Sequence, residues 1–164
     1  MSIPGFLDDW QIFASPGHTQ DHLCYYLPSG PGYLFCGDTL FSAGCGRLLE
    51  GNAAQMLGAL DKIADLGDET IVFPAHEYTL NNLRFAKYID PENSHISTYY
   101  EAVLAKRDQG LPSLPSTIAL EKKINPFLRV REIAIIEKTR ALSGDRCDTA
   151  VATFAALRKL KDKF

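Results

Sequence analysis

The sequence predicts a mixed α/β fold, of the α+β kind, with short strands in its first half and helices in its second. Two shifts in pattern carry that expectation. Up to about residue 75, aromatic and β-branched runs alternate with Pro- and Gly-rich turns, which is how short strands read. From Thr79 onward those runs fade, and apolar residues recur at helical intervals in stretches without internal proline.

Strands are expected at residues 10–14, 22–27 and 33–36, with Pro28-Ser29-Gly30-Pro31-Gly32 as a hairpin-type connection between the last two. Residues 52–66 then space Met56, Leu57, Leu60, Ile63 and Ala64 as a helix does, behind Asn52 as N-cap. Residues 70–73 form an apolar, β-branched run that reads as a buried strand, completing a β-to-α-to-β passage. Helices follow at 80–89, 94–109, 130–142 and 149–161. Between them, residues 111–126 contain three prolines and read as an irregular connector, and Gly144 with Asp145 marks a break. A boundary near residues 89–93 divides the chain into modules 1–90 and 91–164.

At 164 residues, 46% hydrophobic and 23% charged, the composition is that of a globular protein. The net charge of −3 argues against a nucleic-acid partner, which calls for a basic excess. Arg158, Lys159, Lys161 and Lys163 form a terminal basic cluster that also reads as a solvated last helical turn. The four cysteines show no C-x-x-C pair, which fits a reducing cytoplasm better than a disulfide framework or a zinc knuckle. Residues 1–13 carry acidic side chains and no long apolar run, so they read as neither leader nor span, and no later run suggests a membrane partner.

A catalytic metal site needs imidazoles or carboxylates on turns at the ends of rigid strands. His18 follows the first strand through Pro16-Gly17, Asp38 follows the third through Gly37, and His76 follows residues 70–73 through Pro74. Singly, Asp38 reads equally as a turn residue and a lone His as a hydrogen-bonded core or surface residue, and spacing leaves the choice open.

The local words go further. Ser15-Pro16-Gly17-His18-Thr19-Gln20-Asp21-His22, Phe35-Cys36-Gly37-Asp38-Thr39-Leu40-Phe41, Gly44-Cys45-Gly46-Arg47 and Ala75-His76-Glu77-Tyr78-Thr79 resemble bacterial-type glyoxalase II, the hydroxyacylglutathione hydrolase of the metallo-β-lactamase superfamily. The resemblance continues through Asn125-Pro126-Phe127-Leu128-Arg129 to Leu157-Arg158-Lys159-Leu160-Lys161-Asp162-Lys163-Phe164. It implies the C-terminal part of an αββα sandwich followed by a helical substrate-binding tail. It implies His18 as a ligand of one divalent metal, Asp38 as a bridge to a second, and His76 as a ligand of that second metal. The metals are expected to be zinc, with iron or manganese also suited to nitrogen and oxygen ligands. No protein nucleophile is implied: a metal-bound hydroxide would attack the thioester of S-D-lactoylglutathione, releasing glutathione and D-lactate in methylglyoxal detoxification.

By the same resemblance Arg47, Tyr78, Arg158 and Lys161 would bind the glutathione moiety, fixed cations meeting an anionic tripeptide. His22 is expected to support the ligand motif through hydrogen bonds, and His95 to lie on the surface. Leu49 departs from relatives that carry an aromatic residue at the substrate rim.

The family's Thr-His-x-His-x-Asp-His motif has no counterpart, since His18, His22, His76 and His95 form no H-x-H pair. The chain as given is therefore expected to be incomplete or impaired, with exposed strand edges and an apolar face inviting association, whereas the complete enzyme is expected to be monomeric. The alternative is a remnant that binds glutathione conjugates or a partner chain without catalysis. Other metallo-β-lactamase-fold activities fit less well, because the Arg47 loop and basic tail point to the glutathione thioester branch.

Overall fold

The computed structural model describes residues 9–164. The leader reading of residues 1–13 falls largely outside that range. No helix among the described residues is long and apolar enough to cross a membrane.

Three antiparallel strands come first: β1 (Gln11–Ala14), β2 (Leu23–Leu27) and β3 (Tyr33–Gly37). The connection at residues 28–32 is the expected hairpin, closed by Gly32 N–H donating to Ser29 O at 2.9 Å. A small ribbon, β4 (Leu40–Phe41) with β5 (Gly44–Cys45), follows, and sequence patterning did not reveal it. Helix α1 (Ala53–Ala64) carries the chain across to β6 (Ile71–Pro74), which pairs parallel to β3. Such a connection needs a crossover, and an amphipathic helix supplies one. Asn52 caps α1 as expected, in a reciprocal capping box with Gln55.

Helices α2 (Thr79–Ile89) and α3 (Ser94–Asp108) follow, and then the connector departs from expectation. Within residues 111–126 the chain forms β7 (Ser116–Thr117), which pairs antiparallel with β6, and helix α4 (Ile118–Ile124). Seven residues give too short a periodicity to stand out beside prolines, yet Ile118, Glu121 and Ile124 bury one face and Thr117 caps the start. Helix α5 (Ile133–Ser143) begins three residues later than its pattern suggested and ends at Gly144, whose φ of 76° is the left-handed cap behind the expected break. Helix α6 (Ala150–Lys163) closes the chain.

The sheet order is β1-β2-β3-β6-β7. Its inner face, including Cys24, Leu34, Cys36 and Val72, packs on Met56, Leu60 and Ile63 of α1, and the same core continues to Phe127, Ile135, Phe154 and Leu157. A second cluster joins Leu83 and Ala86 of α2 with Ile96, Val103 and Ile124. The described residues thus present one sheet with helices on one face, a single α and a single β layer.

The other face is equally apolar. The register sets Ile12, Tyr25, Phe35 and Phe73 side by side across four strands, with Leu23 opposite Ala14. Ile12, Leu23, Tyr25 and Phe35 are 38, 43, 41 and 42% exposed, an unusual density of large apolar groups in water. Phe35 stacks on Phe73 with centroids 5.0 Å apart, so the patch is ordered within itself. The purified chain should therefore associate with rising concentration and bind an apolar dye. Tyr25→Lys with Phe35→Lys should return it toward a monomer, read by sedimentation, with its helical circular dichroism retained.

Candidate functional site

Because β3 and β6 run parallel, their C-terminal ends leave the sheet side by side: Gly37 lies opposite Pro74, and Ala75 N–H donates to Gly37 O at 3.0 Å. Asp38 and His76 follow immediately. Gly37 turns the chain with φ of 51°, and His22 packs where a side chain would project, a Cβ there meeting His22 Nε2 at 2.7 Å. The expected support by His22 is present: its Nε2 accepts from Asp38 N–H at 3.1 Å, while Nδ1 meets Ser15 Oγ at 2.9 Å and Thr39 Oγ1 at 3.1 Å. An N–H can only donate, so Nε2 is unprotonated and the ring is neutral with its hydrogen on Nδ1. Burial, followed by the neighbouring His18, lowers the pKa of His22 in keeping with that state.

His18 reaches the same place from the turn after β1. Its Nδ1 lies 2.9 Å from Arg47 O, and a carbonyl only accepts, so Nδ1 carries a hydrogen and Nε2 is the nitrogen left facing the cleft. That Nε2 lies 4.0 Å from Asp38 Oδ2, and His76 Nε2 lies 3.4 Å from Asp38 Oδ1. One carboxylate thus faces an imidazole through each oxygen. The ring of His76 stacks on Tyr78 at 5.0 Å and lies 6.1 Å from Phe41.

The expected residues line one cleft of about 580 Å³: His18, Asp38 and His76 with Arg47, Tyr78, Arg158 and Lys161. Arg47 is the most exposed of the cations. Arg158 is not a solvated end-of-helix cation. It is 5% exposed, its Nη1 donates to Cys45 O at 2.9 Å and its guanidinium lies 5.1 Å from the Phe127 ring centroid. Lys161 Nζ donates to Asn81 O at 3.2 Å and lies 5.1 and 5.2 Å from the rings of Phe85 and Phe164. Burial first, then Arg158, lowers its pKa to about 8. Leu49 is exposed at the rim, and His95 lies on the surface as expected.

Two acidic residues escaped sequence reasoning. Asp162 sits among the cations, 3.1 Å from Arg158 Nη2 and 3.9 Å from Arg47 Nε, and its i,i+4 spacing from Arg158 was the available signal. Glu77 accepts from the backbone N–H and hydroxyl of Ser113 and pairs with Arg107 at 3.2 Å, anchoring the segment that carries His76 and Tyr78 to α3 and the connector. The Ser113 N–H lowers its pKa most, followed by the Ser113 hydroxyl. No local pattern links Glu77 to a serine 36 positions away.

Among the described residues no group of three or more His, Cys, Asp or Glu side chains is placed to hold a metal ion. His18, Asp38 and His76 offer one imidazole and a share of one carboxylate to each of two ions, short of the three protein ligands of catalytic zinc. They do not by themselves fit a complete centre.

The tightest steric constraint lies beneath Asp38, where a Cβ on Gly46 would stand 1.9 Å from Asp38 O and 3.3 Å from His18 Nδ1. Backbone cannot swing aside as a flexible side chain can. Gly46→Ala should cost about 1–3 kcal/mol or more in denaturant unfolding and displace the Asp38 and His18 resonances, whereas Gly58→Ala, with open space around its Cβ, should do neither.

Comparison with known proteins agrees with this architecture. The family model described as hydroxyacylglutathione hydrolase C-terminus matches residues 77–164, and that of the metallo-beta-lactamase superfamily matches residues 1–76. The chain is 46% identical over 164 residues to a hydroxyacylglutathione hydrolase of Nitrosomonas eutropha, covering 100% of this chain and 63% of the relative. To that of Yersinia enterocolitica it is 47% identical over 164 residues, covering 100% of this chain and 62% of the relative. To that of Nitrosomonas europaea it is 49% identical over 153 residues, covering 93% and 57%. It therefore spans 57–63% of the length of these relatives. Among solved structures, ETHE1 from Myxococcus xanthus superposes with a TM-score of 0.55 at 23% identity, covering 96% of this chain and 48% of that one. The BLEG-1 B3 metallo-beta-lactamase does so at 0.51 and 24%, covering 78% and 44%, and both speak for the fold alone. With more than half of its residues matched by one family model and the remainder by the superfamily model, the chain belongs to the hydroxyacylglutathione hydrolase family of the metallo-β-lactamase superfamily.

Proposed function

We propose that this chain carries the substrate cleft, and half of the donors of a two-metal centre, of a hydrolase acting on 2-hydroxyacyl thioesters of glutathione, S-D-lactoylglutathione among them. One observation carries the reading. Side chains from turns after three different strands meet side chains from α6 in a single cleft, donors at Asp38 and cations at Arg47, Arg158 and Lys161. A thioester of an anionic tripeptide needs both, an electrophile-activating end and a carboxylate-binding end. Zinc suits the nitrogen and oxygen donors, as do iron and manganese, and when bound such ions make hydroxide available near neutral pH.

Within that reading His18 and His76 would each help to hold a metal ion, and Asp38, which faces both imidazoles, would serve both ions. The residues of this chain do the binding and orienting. The neutral His22 holds Asp38 from below by its backbone, and Arg47 O holds His18 with its Nε2 toward Asp38. Tyr78, half exposed and stacked on His76, offers an aromatic wall and a hydroxyl. Asp162 pairs with Arg158 and Arg47, holding both cations at the cleft where a substrate carboxylate would compete for them. The four free cysteines, all buried, suit a reducing cytoplasm.

The donor shortage supports a second reading for this chain acting alone, binding of glutathione conjugates without turnover. Joining the chain to the additional segment of the Nitrosomonas eutropha relative should give metal-dependent hydrolysis of S-D-lactoylglutathione. His76→Ala should lower that activity by at least about a hundredfold. A folded chimera that binds metal and leaves the thioester intact would refute the hydrolase reading. The unjoined chain, titrated calorimetrically with S-D-lactoylglutathione, should bind without turning over, and hydrolysis by it would remove the second reading.

Charge on Lys161 gives a pH test. The folded pKa of about 8 lies below the ordinary lysine value of 10.5, so the cation is present below pH 8 and lost above it. Affinity for the anionic glutathione conjugate should fall as pH rises from 7 to 9. Lys161→Met should bind more weakly at pH 7 and lose that dependence, both read by calorimetry.

A further inference from the structure

The ribbon at residues 40–45 is too short to hold itself in place, and side chains from distant helices hold it instead. Asn125 Nδ2 lies within hydrogen-bond distance of Gly44 O at 2.9 Å and Phe41 O at 3.2 Å. Asn82 Nδ2 donates to Ser42 O at 3.1 Å, and Arg158 Nη1 to Cys45 O at 2.9 Å. The tip residue, Ala43, takes a φ of 57°, a conformation that a residue with a Cβ adopts reluctantly. Its N–H donates to Glu121 Oε2 at 2.8 Å.

Glu121 is an unusual occupant of that position. It is fully buried on α4, Asn125 at the end of the same helix reaches Oε2 at 3.0 Å, and the Ser116 hydroxyl bonds Oε1. The donors around it are neutral, and burial raises its pKa. Burying a carboxyl group costs more than burying a leucine of similar size, and an apolar residue would complete the packing of Ile118 and Ile124. What a leucine could not do is accept the N–H of Ala43.

The ribbon and the residues that follow it reach both site imidazoles. At one end the Phe41 ring lies 6.1 Å from that of His76 and 5.2 Å from that of Tyr78. At the other, the chain passes through Gly46 to Arg47, whose carbonyl accepts from His18 Nδ1 at 2.9 Å. We infer that Glu121 and Asn125 are positioning residues of the site. Through the ribbon they hold the Arg47 carbonyl where it keeps His18 in its Nδ1–H tautomer, and they seat Phe41 against His76. The inference rests on the proposed reading of His18 and His76 as site imidazoles and deepens it.

The test is nitrogen NMR of the imidazole rings together with amide exchange, both on the purified chain. Glu121→Gln keeps an acceptor for Ala43 and a donor for Ser116, and should preserve the Nδ1–H pattern of His18. Glu121→Leu and Asn125→Ala should lose that pattern and raise exchange at Ala43 by at least about tenfold, with the methyl shifts of Leu60 and Ile63 unmoved. Folded Leu and Ala variants with the His18 pattern and Ala43 exchange of the parent would overturn the inference, as would a Gln variant that fails to preserve them. Should the Leu and Ala variants not fold, the parent chain decides: exchange at Ala43 as slow as in the core supports the clamp, and exchange as fast as at exposed Arg146 overturns it. None of these readouts needs turnover, so absence of hydrolysis in the chimera would remove the functional reading while leaving the clamp measurable.

Discussion

With β3 and β6 parallel and Gly37 opposite Pro74, both strands release the chain at the same edge of the sheet, and Asp38 and His76 have nowhere else to go. The hydrogen bond from Ala75 N–H to Gly37 O fixes their relative height. Open α/β sheets place ligands outside the carboxyl ends of their strands for this reason, since loops there share one crevice and sheet packing holds their roots rigid. His18 joins from the turn after β1, and the chain segment after Asp38 supplies the carbonyl that sets its tautomer. The donor end of the cleft is therefore a consequence of strand pairing, fixed by backbone and by small residues at Gly37 and Gly46 that permit close approach.

The cationic end depends on a different contact, the docking of α6 on the same core. Phe154 and Leu157 are fully buried, and Arg158 and Lys161, four and seven residues after Phe154, continue the same face of that helix to the point where the core opens into the cleft. Arg158 spends one donor on Cys45 and another on Asp162, so it joins helix to ribbon as well as facing the cleft. Removing it would break packing as well as charge, because a guanidinium 5% exposed stacks on Phe127 and leaves its partners unpaired when deleted. Lys161, with one backbone acceptor and aromatic neighbours, is the better probe of charge alone.

Much of this was legible in the sequence where the signal is local. Strand-then-turn placement marked His18, Asp38 and His76, the capping pattern marked the start of α1, and Gly144 marked the end of α5. Groups whose meaning lies in a distant partner were not legible. Glu121 reads as an ordinary charged position in an irregular connector until Ala43, 78 residues earlier, is seen at its carboxylate. Asp162 and Glu77 hide for the same reason, and α4 hides because it is short and flanked by prolines. The Leu23–Leu27 strand was legible in a further respect. The apolar face expected to be exposed is there, with Leu23 and Tyr25 among the exposed apolar residues of the described chain.

The two ends of the cleft also differ in what builds them. The inner face of the sheet packs on α1 and shares its core with α6, the helix that carries Arg158 and Lys161. The donor end is different in kind. A carboxylate facing two imidazoles is a low-affinity arrangement until further ligands converge on it, because each ion must lose its water to enough protein donors to offset the cost. The outer sheet face, with Ile12, Leu23, Tyr25 and Phe35 exposed, is apolar. Covering that face with apolar groups and completing the donor set are separate physical requirements, one met by area and the other by geometry, and only the second bears on chemistry.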